Sequence, residues 1–287
     1  MDEEFVAHQL SPSSWSRFED CPRKYWLSRQ KLPRKASMSA SMGTAVHNSV
    51  EDLCNLDIED RGPDEIEWLP PIAKEILDSH WEIEKEIFME TPRHPRWKDD
   101  MITKAYDGLV GALRILFSKS GIERFALSDV TIEMWKQVQS IVLANEATLV
   151  SECGRLMGRL DLLVSDIDEN GKSMGWIVAD LKTGRPPKVS LNEKVSRQLR
   201  FYRDLLKENN PDHPPLHAEG WYSSNQTIHR AEGPSVLEDA FVAWEGMRYS
   251  ETPFEATPDS TACGFCEWKA WCPTWWVARR DLSLIHI

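Results

Sequence analysis

Gly158-Arg159-Leu160-Asp161-Leu162-Leu163-Val164, a polar turn, and then Trp176-Ile177-Val178-Ala179-Asp180-Leu181-Lys182-Thr183-Gly184 form the stretch that decides the fold. Two short apolar runs rich in β-branched residues flank Asp168-Glu169-Asn170-Gly171-Lys172, a turn-forming cluster. That is strand, loop, strand. Each strand carries an acid, Asp161 and Asp180. Alternation puts Asp180 and Lys182 on one face. Two carboxylates and a lysine converging at strand ends suit a hard divalent cation held beside an ionised oxygen substrate.

Upstream, two further runs, 147–152 and 155–162, flank Cys153-Gly154 and read as a hairpin, which the Asp180 strand extends into a sheet. Downstream, 188–208 reads as a helix with Val195, Leu199, Tyr202, Leu205 and Leu206 on one face. Gln198 and Tyr202 are one turn apart on it. Arg197, Arg200 and Arg203 lie on its other faces, where they could meet phosphates. Residues 217–230 read as one more strand and its turn.

The ordered set Gly-x-x-Asp161, Asp180-x-Lys182-Thr-Gly and Gln198-x-x-x-Tyr202 resembles the PD-(D/E)xK nuclease superfamily, in particular its RecB/AddB-like branch. It is also similar to the CRISPR-associated iron–sulfur exonucleases. Asp-x-Lys alone occurs by chance everywhere; the ordered set is specific. The resemblance implies an α/β fold, a restriction-endonuclease-like core with a central mixed sheet flanked by helices. It implies that Asp161, Asp180, the backbone carbonyl of Leu181 and a histidine hold Mg²⁺ or Mn²⁺, and that Lys182, Gln198 and Tyr202 serve the reaction. His47, in Gly43-Thr44-Ala45-Val46-His47 at the opening of a helix, fits the family's Gly-x-x-x-His element. A histidine among carboxylates favours Mn²⁺ somewhat over Mg²⁺. By itself, a lone helical histidine is usually structural.

The chain has 287 residues, of which 41% are hydrophobic, enough for a sizeable core. No apolar run of ~18 residues is present, so no transmembrane helix and no membrane partner are expected. Met1-Asp2-Glu3-Glu4 is acidic and lacks the apolar stretch of a secretory signal, and a cytoplasmic protein is the expectation. A net charge of −12 argues against a generic polyanion binder, though a local basic groove remains compatible with it. Such a segment exists: residues 17–35 hold seven basic and two acidic residues, interleaved with Tyr25 and Trp26. The basic residues suit phosphates. The aromatics suit either base stacking or the core. Just before it, Ser11-Pro12 reads as a helix cap and first turn.

Six cysteines in a cytosolic chain point to metal ligands or buried thiols rather than disulfides. Cys263-x2-Cys266-x5-Cys272-Pro needs a fourth ligand, and Cys21, also followed by proline, is the candidate. By spacing, four thiolates suit Zn²⁺ or a 4Fe-4S cluster equally. The resemblance favours the cluster, which would staple the two ends of the chain. Cys54 and Cys153 are expected as buried free thiols. His80 and His94 lack ligand spacing.

The expected organisation is one nuclease domain over 1–287: N-terminal helices to 60, a helical insertion over 61–145, a nuclease core over 146–232, and a C-terminal helix with the cysteines over 233–287. The expected function is that of an exonuclease, metal-dependent hydrolysis of the phosphodiester bonds of DNA, single-stranded or with an open end, in repair, recombination or CRISPR adaptation. A separate helicase or CRISPR adaptation protein is the implied partner. The alternatives are a non-catalytic cluster-bearing DNA-binding subunit of a helicase–nuclease complex, or a zinc-stapled module without nuclease activity. No Walker motif occurs, so a motor would be another chain.

Overall fold

The computed structural model describes residues 8–122, 126–248 and 252–274. Helix α1 (Pro12–Asp20) starts where Ser11 accepts the Ser14 amide while the Ser14 hydroxyl serves Ser11 in return, a capping box with proline at the first turn. Cys21 is extended (φ −172°) and Pro22, which has no amide hydrogen, opens α2 (Pro22–Ser28). Then come α3 (Met38–Cys54), which begins four residues before the expected Met42, α4 (Leu69–Glu90), α5 (Ile102–Lys119) and α6 (Ile132–Ile141).

The chain enters the sheet directly from α6. Strand β1 (Val142–Val150) starts within the stretch assigned above to helices, so 61–145 is not helical throughout. Strands β2 (Met157–Ile167) and β3 (Ser173–Lys182) follow, then α7 (Glu193–Asn209) and β4 (His217–Tyr222). Helix α7 starts later than expected because Asn192 accepts the Val195 amide and sets its first turn. The expected single strand over 217–230 is two, since β5 (Thr227–Ala231) folds back on β4. Helices α8 (Leu237–Gly246) and α9 (Ser260–Phe265) complete the described elements used here.

The strand order is β1-β2-β3-β4-β5, antiparallel except for the parallel β3–β4 pair that α7 connects. This is the mixed, helix-flanked sheet that the sequence implied. One face packs on α3 to α6, with Trp81, Trp135 and Trp221 fully buried there. Helices α4 and α5 therefore form a core layer. Gly111 permits the closeness: a Cβ there would lie 1.9 Å from the Ser223 carbonyl oxygen, at the end of β4. The other face packs on α1, α2, α7 and α8.

The C-terminal segment returns to the N-terminal helices. The Arg23 amide donates to the Glu255 carbonyl at 3.1 Å, and Phe254 packs edge-on to Phe18 and stacks on Tyr25. Tyr25 is 2% exposed and its hydroxyl meets the His8 ring, so it belongs to the core and is not free to stack on bases. The segment 281–287 lies outside the described residues.

Candidate metal-dependent active site

The site forms where two strands part. Pairing of β2 with β3 stops at Leu162–Ala179. One residue further, the Asp161 carboxylate replaces the ladder and accepts the Leu181 amide through Oδ2 at 2.7 Å. A carboxylate that caps the end of a ladder is held in place by the fold itself. For Leu181, the structure thus displays a role for the amide; the carbonyl was the group expected to serve.

Asp180 is 2% exposed and held from two sides. Gln198 of α7 donates through Nε2 to its Oδ1 at 3.1 Å and to the Tyr202 hydroxyl at 3.0 Å, and accepts from Lys182 Nζ at 3.1 Å. Lys182 Nζ lies 2.6 Å from Asp180 Oδ2, a close ion pair. Gly158 explains its own place in the motif. A Cβ there would lie 2.7 Å from the Tyr202 ring, so only glycine lets α7 bring Tyr202 and Gln198 this close.

His47 of α3 approaches from the opposite side, with Nδ1 3.5 Å from Asp161 Oδ2. The third group at this point is Glu146, which the sequence reading missed. Ligand atoms of His47, Glu146 and Asp161 lie within 4.8 Å of one another, the group of that kind found among the described residues. Asp180, expected as a ligand beside Asp161, is outside that group and engaged with Lys182 and Gln198. Glu146 falls opposite Asp161, between the pairs Asn145–Leu162 and Ala147–Leu160, and has a left-handed φ of 46°. The expected strand began at Ala147. Counting the hairpin register one pair further back from Cys153-Gly154 would have found it. A shallow cleft opens here, lined by His47, Glu51, Asn145, Glu146, Asp161 and Leu181 among others.

The electrostatics are those of crowded acids. Burial, then the Asp161 charge, push Asp180 up to about 6 against the pull of Lys182. Burial and Asp161 likewise raise Glu146, with Arg159 and His47 opposing. For His47 burial disfavours the imidazolium, but Asp161, Asp180 and Glu146 together outweigh it and the ring titrates above its ordinary range. Burial works against the Lys182 ammonium too, and again Asp180 and Asp161 win, so it stays charged. An imidazole nitrogen and two carboxylates are a donor set that Mn²⁺ or Mg²⁺ accepts.

The cysteines join the chain ends. The Thr257 and Asp259 amides donate to Cys21 Sγ and Cys263 Sγ, each at 3.4 Å. Burial raises the Cys266 thiol. Cys272 Sγ lies 3.1 Å from the Thr274 hydroxyl. This placement brings the two ends together without naming what the thiols hold. Cys54 is buried, its thiol pushed up to about 12 by burial and Glu51. Cys153, expected to be buried, is exposed.

Most of the basic groups suggested for phosphates are already engaged. Lys24 pairs with Asp20, Arg17 and Arg23 bond Ser28 and the Phe254 carbonyl, and Arg29 meets His8. On α7, Arg197 pairs with Glu19 over the Trp15 ring, Arg200 with Glu193 and Arg203 with Asp204. Lys31, Arg34 and Lys35 are exposed. His80 pairs with Asp52 at 2.7 Å.

No helix among the described residues is long and apolar enough to cross a membrane. A search of curated proteins found no match. Among solved structures, "Crystal structure of SSO0001" is similar at 15% identity, over 62% of this chain and 77% of that one, with a TM-score of 0.33, too loose a likeness to add to the argument. The sequence profile of the PD-(D/E)XK nuclease superfamily matches residues 9–273, nearly the whole chain and every group of the site, and the chain belongs to that superfamily.

Proposed function

We infer that the protein is a divalent-metal-dependent deoxyribonuclease, an exonuclease acting on single-stranded or open-ended DNA in repair, recombination or CRISPR adaptation. The observation that carries this is the convergence of His47, Glu146 and Asp161 beside the Asp180–Lys182 pair. A divalent cation bound there supplies Lewis acidity to a phosphate oxygen and lowers the pKa of a water. Asp161, fixed by the Leu181 amide, and Glu146 and His47 across the cleft would hold it, with Asp180 behind them. To ligate, His47 gives up its proton, and the incoming positive charge offsets the acids that now favour that proton. Lys182 keeps its ammonium and, aimed by Asp180 and Gln198, neutralises negative charge that develops as the phosphodiester breaks. Tyr202 holds Gln198 in the rotamer that serves both.

The cysteines support a structural 4Fe-4S cluster held by Cys21, Cys263, Cys266 and Cys272, which would anchor the N-terminal helices to the C-terminal segment. The Thr257 amide on Cys21 Sγ, which brings the segment before Cys263 to the N-terminal helices, supports it, with Zn²⁺ the alternative occupant. A helicase or an adaptation protein is the partner such an exonuclease would work with.

The test is incubation of purified protein with end-labelled single- and double-stranded DNA, with and without Mn²⁺. Mn²⁺-dependent release of short products from the labelled end is expected. Intact DNA under all conditions refutes the catalytic reading and leaves a DNA-binding subunit. Iron and sulfide analysis of anaerobically purified protein decides between cluster and zinc.

A further inference from the structure

Arg159 stands in the Gly-x-x-Asp161 motif, and no part of the mechanism above uses it. Its side chain is 63% exposed, on the face of β2 that carries Asp161 two residues on, and it pairs with Glu146 of the cleft lining. Its Nε is held twice, 2.6 Å from Glu146 Oε2 and 3.3 Å from the Glu146 carbonyl oxygen. Among the described residues, its two terminal amino groups make no hydrogen bond. A guanidinium is a planar fork. Fixing it at Nε leaves the other edge pre-oriented and unoccupied.

The surroundings say what that edge meets. The cleft lining contains Glu51, Glu146 and Asp161 but no lysine or arginine. Lys182 is committed to Asp180, and Arg197, Arg200 and Arg203 to other acids. A polyanion approaching this acidic mouth needs positive charge beside the metal position, and Arg159 places it there. We propose that Arg159 is a phosphate-binding residue of this site, its orientation set by Glu146 and its free edge receiving a backbone phosphate of the nucleic-acid substrate. The proposal deepens the nuclease reading and rests on it. It also gives Glu146 two tasks, ligand and orienter, which accounts for a glutamate held at a costly left-handed φ.

The test reads DNA binding apart from turnover. On a Lys182→Ala background, where cleavage is slowed, anisotropy of a labelled single-stranded oligonucleotide is measured in Mn²⁺ over a series of salt concentrations. Mn²⁺ affinity is measured separately by calorimetry. Arg159→Ala is expected to weaken DNA binding about tenfold and to lower the slope of log K against log salt by about 0.7, the loss of one phosphate contact to a single strand. Mn²⁺ affinity stays within about threefold of the parent. Arg159→Lys keeps the salt slope, because the charge remains, with intermediate affinity, because the fork is gone. Unchanged DNA affinity and slope in Arg159→Ala overturns the proposal. So does a fall in Mn²⁺ affinity that matches the fall in DNA binding, which would reduce Arg159 to a support for Glu146. If the parent itself neither binds nor cleaves DNA, the nuclease reading is what fails.

Discussion

Asp180 and Glu219 are buried carboxylates on adjacent parallel strands, 2% and 3% exposed, one residue apart in register. Their environments differ in every other respect. Glu219 takes the Lys119 ammonium at 3.0 and 2.8 Å on its two oxygens, His217 Nε2 at 2.9 Å and the Trp221 indole at 2.8 Å. Burial works against its charge, yet Lys119 and these donors prevail, and its pKa falls below the ordinary value. Asp180 has one cation and one amide, with Asp161 beside it, and its pKa rises. A buried acid whose lone pairs are all met is part of the scaffold. A buried acid left short of positive charge, among others like it, is built for a cation that arrives later.

Exchange of phenotypes between these two positions would break the comparison. Asp180→Ala should bring Mn²⁺-dependent cleavage to background while far-UV dichroism and melting remain cooperative, since the sheet keeps its hydrogen bonds. Glu219→Ala should do the reverse. It leaves Lys119 partly buried without its partner and is expected to cost about 3–5 kcal/mol in urea unfolding, with cleavage per folded molecule preserved. Next in size is Lys182→Ala: single-turnover rates should fall roughly 10²–10³-fold, the usual loss of one electrostatic stabiliser, while calorimetry still finds Mn²⁺ bound. Lost Mn²⁺ affinity there would place Lys182 in metal binding. Glu146→Gln should instead weaken Mn²⁺ binding by roughly 10–100-fold, the range for disturbed metal-site partners. Unchanged affinity would remove Glu146 from the ligand set.

How much of this the sequence disclosed follows from the range of each interaction. Asp161, Asp180, Lys182, Gln198 and Tyr202 sit in short spacings within one strand or one helical turn, so their grouping was legible. His47 was legible only through the family pattern, because its neighbour Asp161 is on another element. Glu146 was hidden by a strand boundary read at Ala147 instead of Val142 and by a φ that interrupts the expected alternation. Glu219 gave no signal at all, since what makes it structural is Lys119, on α5 and 100 residues away. The charges of residues 17–35 were legible as a basic run, but their acid and carbonyl partners, such as the Phe254 carbonyl for Arg23, lie beyond any local pattern. The sheet was read correctly from the two flanking runs because strand pairing through tight turns is a local matter. The stretch 61–145 was legible as mostly helical, yet the place of helices 69–90 and 102–119 in the core depends on the faces they meet.

The smallest effect concerns stability and has a sign that distinguishes the two acids. Asp180 is raised from 3.8 to about 6 in the folded protein, so the fold binds its proton more tightly than the unfolded chain does. Its contribution is fully present below 3.8 and is lost as pH rises through about 6. Glu219 is lowered from 4.5, so its contribution is present above 4.5 and is lost as pH falls through its folded value. Asp180→Asn removes the first titration and leaves the second. The metal-free variant should therefore be more stable than the parent at pH 8, by roughly 1–3 kcal/mol, and the gap should close as pH falls toward 4. Excess Mn²⁺ should reverse the order at pH 8, because the cation stabilises the ionised parent by mass action and finds a poorer site in the variant. Urea midpoints over pH 4–8, with EDTA and with Mn²⁺, give all four curves. A variant less stable than the parent at pH 8 without metal would mean that the Lys182 pairing outweighs the burial and crowding of Asp180, and the contrast with Glu219 would then be one of degree.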